Sequence, residues 1–181
     1  FYHIQLKKNK TMNTNTPQIR SYAYKYGFIY GAITVVFSLM LHYMGQTYSG
    51  SSLPQIFSYA LLAILIVLAV LIFKKDNNGK LSLGQSIKMG TAIGLVGAII
   101  TVLYIIFFSS VIEPDFIEKF GELVTSEQLR EKAPQLTEDQ IAQQVNMQSQ
   151  FFWVSYPFIL IMFSFYGLII GLVTGLFTKK A

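Results

Sequence analysis

The stretch SSVIEPDFIEKFGELVTSEQLREKAPQLTEDQ, residues 109–140, is where the character of this chain changes. The segment before it, residues 89–112, contains no Asp, Glu, Lys or Arg, and eight carboxylates then follow between Glu113 and Asp139. Since the whole chain has nine acidic residues, only Asp76 lies elsewhere. Such a change predicts that the chain leaves an apolar environment near residue 112 and enters water.

Long uncharged segments dominate the rest of the 181 residues, of which 52% are hydrophobic and 13% charged. Soluble domains carry about 25% charged residues, and a helix needs roughly 20 apolar residues to cross a bilayer. The pattern predicts an all-α, polytopic membrane protein with four transmembrane helices, at 27–44, 53–73, 89–111 and 151–177. The alternative, a buried core of a soluble helical protein, is disfavoured because four such segments occur in so short a chain.

The charge pattern also predicts how the chain is divided. Residues 1–26 form a cytoplasmic N-terminal segment, 27–111 carry the first three spans, 112–150 form an acidic extracytoplasmic helical segment, and 151–181 carry the fourth span and a Lys-rich end. Residues 1–11, FYHIQLKKNKT, differ in character from the rest of the chain. We therefore expect Met12 to be the natural start.

Lys and Arg residues predict the orientation. Eleven of the 14 lie before the first span, in the connection between the second and third spans, or after the fourth. The remaining three lie in the acidic segment: Lys119, Arg130 and Lys132. Because short loops rich in Lys and Arg stay in the cytoplasm, we expect both chain ends and the KKDNNGK turn inside, and residues 112–150 outside.

The acidic segment carries signals for two or three short amphipathic helices. TSEQ (125–128) and TEDQ (137–140) both fit a capping box, and Pro114 fits a first helical position. An apolar stripe is formed by Phe116, Ile117, Phe120 and Val124. We interpret the carboxylates as a solvated face and predict no metal site, since no outer histidine completes one.

Glycines recur at intervals of three or four residues within the predicted spans, at Gly27, Gly31, Gly90, Gly94, Gly97, Gly167, Gly171 and Gly175. This spacing lets membrane helices approach closely. Two interpretations stay open: packing within the four-helix unit, or docking of another membrane protein or a second copy. Internal packing is favoured for Gly167, Gly171 and Gly175, and docking for Gly27 and Gly31.

The chemistry-bearing residues favour a role without catalysis. There is no cysteine, and no P-loop, HExxH or Ser/His/Asp pattern is present, so we predict no enzyme activity, no cofactor and no nucleic-acid partner. We interpret His42, near the outer end of the first span, as an interfacial residue. The expected function is an accessory or interaction subunit of a larger inner-membrane assembly, with the lipid bilayer and other integral membrane proteins, or itself, as partners.

The alternative function is an oligomeric channel or transporter for a small solute. Its polar lining would come from Ser38, Ser58, Thr91, Thr101, Tyr104, Ser155 and Ser164.

Three motifs carry a family resemblance: YGFIYGAI (26–33), SLGQSIKMGTAIGLVGAIITVLYIIFF (82–108) and IEPDF (112–116). With the glycine-spaced last span, they make the chain resemble domain-of-unknown-function family 4199, which is common in Bacteroidetes-type bacteria. Members usually have Asn before the proline, where this chain has Glu113. The resemblance implies a small four-span protein of a bacterial inner membrane, and it implies no activity or catalytic residue.

Overall fold

The computed structural model describes residues 17–178, and within them all regular secondary structure is helical, without a β-strand. The expected start at Met12 lies outside the described residues. Three helical segments are not α-helical. Two are π-helical, at Phe108–Ile112 and Phe120–Thr125, and one is a 3₁₀ turn at Phe152–Val154. The α-helices are α1 Ile19–Tyr43, α2 Leu53–Asp76, α3 Leu83–Phe107, α4 Phe116–Lys119, α5 Ser126–Lys132, α6 Glu138–Gln150 and α7 Ser155–Thr178.

Four of these helices, α1, α2, α3 and α7, are long and apolar enough to cross a membrane. This confirms the predicted four-span, all-α fold, but several helix boundaries differ, among them the start of α7 at Ser155, four residues after the predicted residue 151. α1 begins eight residues before the predicted residue 27, and α3 begins six before the predicted residue 89. The predicted spans began after the basic residues Arg20, Lys25 and Lys88. The helices nevertheless continue through these residues. A long basic side chain can extend toward water from the last turns of a span.

The four spans form a closed ring in the order α1, α3, α7, α2. The closest pair is α3 with α7, and α1 packs along the other side of α3. α2 precedes α3 in sequence across a tight turn, but it contacts α7 and α1 more than α3. Asn78 (φ 53°) and Gly79 (φ 78°) make the turn, as the predicted turn chemistry requires. We call the end of the bundle that contains this turn and Thr178 the turn end.

The apolar core lies toward the turn end. Its fully buried side chains include Tyr30, Leu62, Phe73 and Met89. Every buried residue of α2 falls between Leu62 and Phe73, and none falls in residues 53–61. The ring is therefore tightly packed at the turn end and opens toward the opposite end.

Polar contacts fasten the turn end. The Tyr22 hydroxyl donates a hydrogen bond to Asp76, and Lys74 donates to the main-chain carbonyl of Thr178 at the end of α7, where a cation is favourable. Ser82 and Gln85 form a capping box at the start of α3. Our sequence analysis missed all three features.

The segment between α3 and α7, residues 108–154, covers the other end of the bundle, and we call it the cap. As predicted, it contains short helices, and Thr137 with Gln140 forms the expected capping box. The box predicted at Thr125 is wrong, because Thr125 (φ −70°, ψ −41°) lies inside continuous helix and caps nothing. Pro114 precedes α4 by two residues instead of starting it.

Candidate functional site

Four of the predicted glycines form a seam between α3 and α7. A Cβ atom added at Gly90 would lie closer than 3.0 Å to the carbonyl oxygen of Gly167, and one at Gly94 would lie equally close to that of Phe163. A Cβ at Gly171 would lie 2.6 Å from the carbonyl oxygen of Ser86. These positions hold two antiparallel backbones in direct contact, which a larger side chain would separate.

Ser86 belongs to the same seam. It is completely buried, and its hydroxyl donates a hydrogen bond of 2.7 Å to the carbonyl oxygen of Gly171. Gly175 packs on the Ser86 side chain, since a Cβ there would lie 2.9 Å from the Ser86 Cβ. Sequence reasoning missed this residue, although a signal was present: Ser86 precedes Gly90 by four residues and continues the series of small residues.

The other three glycines lie where α1 packs against α3. A Cβ at Gly27 would lie 2.5 Å from Val96, one at Gly31 would lie 2.6 Å from Ile100, and the ring of Tyr30 covers Gly97. Gly27 and Gly31 are buried by α3. The structure places both glycines in a contact within the chain, whereas the sequence favoured docking of a second protein there.

The residues considered as a channel lining do not share one wall of the chain. Ser38, Ser58, Thr101 and Tyr104 line a cavity of about 210 Å³ between α1, α2 and α3. Thr91 and Ser164 line a different cavity, on the lipid-facing side of α3 and α7. Ser155 is the first residue of α7. In a single copy, the candidate lining residues therefore lie on separate surfaces.

A polar cluster joins the cap to the bundle at Glu113. One oxygen of this carboxylate, Oε1, accepts a hydrogen bond of 2.9 Å from the Lys119 ammonium group. The other, Oε2, is buried, lacks a hydrogen-bond partner, and lies 3.5 Å from Nδ1 of His42. The Tyr48 hydroxyl is buried beside it, outside hydrogen-bonding geometry. The cluster thus connects α1, the loop after it and α4.

Burial raises the pKa of the Glu113 carboxyl, but the neighbouring Lys119, Tyr48 and His42 groups outweigh it, so the pKa lies below its usual value. Burial and the Glu113 carboxylate raise the pKa of the Tyr48 hydroxyl. Glu113 is therefore ionised at neutral pH and acts as the charged centre of the cluster. The sequence analysis found no histidine to accompany the outer carboxylates, whereas the fold places His42 beside Glu113.

Aromatic rings pack beneath this cluster. Phe108 lies edge-on to His42 (5.0 Å between ring centroids) and edge-on to Phe116 (5.2 Å). Phe116, which the predicted apolar stripe includes, also approaches Tyr48 at 6.2 Å. The rings separate the charged groups from the spans, so the cap rests on an apolar layer.

The cap itself encloses a cleft of about 670 Å³. Its floor is apolar, with Ile117, Ile141 and Val145, and α6 approaches closely because Gly121 leaves room for Val145. Its walls carry charged side chains, namely Asp115, Glu118, Glu122, Arg130 and Glu138. Sequence reasoning predicted a solvated acidic face here, and the fold bends part of that face into a concave surface.

A comparison with protein families decides where this chain belongs. The model of the family described as "Protein of unknown function (DUF4199)" matches residues 25–180. The chain belongs to the DUF4199 family. The comparison with curated proteins found no significant match, and the comparison with solved structures found none either.

The DUF4199 region includes all eight spaced glycines, from Gly27 in α1 to Gly175 in α7, and the whole cap. Across residues 17–178 of this DUF4199 chain, no three His, Asp or Glu side chains come together as metal ligands. Two features remain as candidate sites: the cap cleft and the cavity beside α2.

Proposed function

We propose that this chain is an interaction subunit of a bacterial inner-membrane assembly, in which the four helices anchor the cap and the cap binds a partner protein. The observation that carries the proposal is the cleft of about 670 Å³, which lies in the cap and outside the four spans. It is larger than each of the three cavities beside the spans, which measure about 360, 210 and 290 Å³.

The orientation follows from charge. Eleven of the 14 Lys and Arg residues fall outside the acidic segment, and such an excess stays on the cytoplasmic side. The cap then faces away from the cytoplasm, where it meets the outer parts of other membrane proteins.

The charges of the cleft favour a basic partner segment. Arg130 pairs with Glu138 at 2.7 Å, which leaves Asp115, Glu118 and Glu122 on the walls without that compensation. A cationic segment of a partner would gain from these carboxylates, mainly in the rate and specificity of association, because exposed charges are screened by salt. The apolar floor would supply the contact area.

The bundle favours an anchoring role. Its eight spaced glycines are occupied by contacts within the chain, and the exposed side chains of the spans are mainly apolar, as lipid contact requires. An oligomeric channel remains the alternative hypothesis, but the candidate lining residues face two separate surfaces.

The test is purification of the tagged chain in mild detergent, with identification and quantification of co-purifying membrane proteins. We expect the amount of co-purifying partner to fall about tenfold for the double variant Glu118→Gln/Glu122→Gln, because both carboxylates line the cleft. The matched control is Glu131→Gln/Asp139→Asn, which removes two exposed cap carboxylates that do not line the cleft.

Equal recovery of the partner with both double variants would contradict a role for the cleft. Purification of the wild-type chain with no stoichiometric partner, from its native membrane, would overturn the interaction role itself.

A further inference from the structure

A cavity of about 210 Å³ lies between α1, α2 and α3, in the half of the bundle that faces the cap. Its lining reaches Leu41, two residues before the end of α1, and Pro54, the second residue of α2. It extends inward to Thr34 and Thr101. Since a helix rises about 1.5 Å per residue, the seven residues from Leu41 to Thr34 correspond to about 10 Å of depth.

The cavity exists because α2 is loosely held there. Residues 53–61 of α2 contain no buried residue, and a second cavity of about 290 Å³ flanks the same part of the helix on its α7 side. Ser58 lines both cavities. On α1, Phe37 packs against Phe57 of α2, with ring centroids 4.2 Å apart, and this pair bridges the two helices beside the cavity.

Hydroxyl groups from all three helices line the cavity. The hydroxyls of Thr34, Ser58 and Thr101 each donate to a carbonyl oxygen one turn earlier in their own helix, at 2.9–3.0 Å. Their oxygens therefore retain acceptor capacity. The Tyr104 hydroxyl differs, because it is buried, lies beside the Ser38 hydroxyl, and makes no hydrogen bond of good geometry.

An unpaired hydroxyl within a membrane span is costly, because lipid offers no substitute for the missing bond. A cavity of this size that presents a hydrogen-bond donor and several acceptors can hold buried water. Charged molecules are disfavoured, since residues 26–73 and 89–112 contain no charged side chain to compensate them.

We propose that this cavity is a hydrated vestibule that opens at the capped end and receives a small uncharged polar molecule, such as an alcohol or amide. Tyr104 donates a hydrogen bond to its occupant, and the hydroxyl oxygens of Thr34, Ser58 and Thr101 accept. The vestibule ends at the tightly packed core around Tyr30. It does not depend on the interaction role proposed for the cap.

The natural absence of cysteine permits a direct test with single cysteine variants of the full chain in membranes. Ser38→Cys and Ser58→Cys place thiols in the vestibule, Ser164→Cys places one in the cavity on the outer side of α3 and α7, and Gln135→Cys places one at an exposed position of the cap. The probe is iodoacetamide, a small uncharged reagent that reacts with the thiolate. Because thiolates form only where water reaches, the reaction rate reports hydration.

We expect Ser38→Cys and Ser58→Cys to react within about tenfold of the Gln135→Cys rate, and Ser164→Cys to react about a hundredfold more slowly than Gln135→Cys. Two vestibule positions are used so that a folding defect in one variant leaves the other informative. Rates for both vestibule positions as slow as that of Ser164→Cys would overturn the proposal, because the cavity would then contain lipid or side chains.

A blocking substitution tests the direction of entry. Leu41→Trp places a larger side chain where the lining reaches the capped end. It should slow modification of Ser38→Cys and Ser58→Cys about tenfold and leave Gln135→Cys unchanged. Unchanged rates at both vestibule positions would show entry from the lipid or from the turn end, and would contradict the proposed opening. Glycerol should compete with iodoacetamide at Ser38→Cys and not at Gln135→Cys, and a lack of such competition would contradict the assigned class of ligand.

Discussion

Single residues decide how closely the spans of this protein approach. At Gly90 the backbone of α7 occupies the space that a side chain would need, whereas at Gly84, in the same helix, a Cβ would meet nothing within 4 Å. The spacing of glycines predicted close helix contact, but it could not distinguish an internal surface from an external one. That distinction depends on which helix lies opposite, and the order of the spans in the ring differs from their order in the sequence.

Gly90→Ala should destabilise the fold by about 1–3 kcal/mol, since the added methyl group forces α3 and α7 apart. The control Gly84→Ala should be neutral or slightly stabilising, by up to about 1 kcal/mol, because alanine favours helix. Unfolding of the purified variants in detergent micelles measures both. Equal stability of the two variants would contradict the close seam.

Glu113 also contributes to stability through a single side chain, and the pH dependence of stability should reveal that contribution. Its pKa is lowered in the folded chain, so its ionised form stabilises the fold above the unfolded pKa of about 4.3. That contribution is lost as the pH falls through the lower folded pKa. The variant Glu113→Gln should be less stable than wild type at pH 7, and the difference should shrink below pH 4.

Thermal unfolding of both chains from pH 7 to pH 3 provides this measurement, with Glu131→Gln, at an exposed cap position, as control. A stability difference between wild type and Glu113→Gln that does not change with pH would show that the carboxylate is not paired in the folded state.

Within the cap, a capping pattern starts a helix only where the preceding backbone is not already helical. Thr125 and Thr137 begin the same sequence pattern, yet only Thr137 caps a helix. Thr137 (φ −76°, ψ 159°) is extended and follows a turn at Pro134, whereas Thr125 continues a helix that already began at Phe116. A capping box requires an extended residue at its first position, and the pattern alone does not show this.

Thr137→Ala should therefore cost about 1 kcal/mol and loosen the first turn of α6. Thr125→Ala, the matched control, should change stability by about 0.5 kcal/mol or less. Hydrogen exchange over residues 134–150 measures the loosening. Faster exchange there in Thr125→Ala than in Thr137→Ala would reverse the assignment.

At the scale of the whole molecule, hydropathy predicted the four spans, because lipid contact imposes an apolar composition on each helix. Their ends were predicted less well, since helices continue past the apolar segments through Arg20, Lys25 and Lys88. The contact of His42 with Glu113 joins residues 71 positions apart. It arises from packing of the cap on the bundle, which no local pattern encodes.

Both proposals depend on the difference between the turn end and the capped end of the molecule. The spans pack tightly at the turn end and open toward the cap, and the cap carries the charged cleft. Partner binding and the vestibule therefore both belong to the capped side, and the account requires that this side face away from the cytoplasm.

Cysteine labelling in intact cells, with the outer membrane permeabilised, tests this requirement most directly. Gln135→Cys lies at an exposed position of the cap, and Lys80→Cys lies at an exposed position of the turn end. With a membrane-impermeant maleimide, Gln135→Cys should be labelled before lysis, and Lys80→Cys should be labelled only after it. Labelling of Lys80→Cys in intact cells, with Gln135→Cys protected until lysis, would place the cap in the cytoplasm and contradict the account.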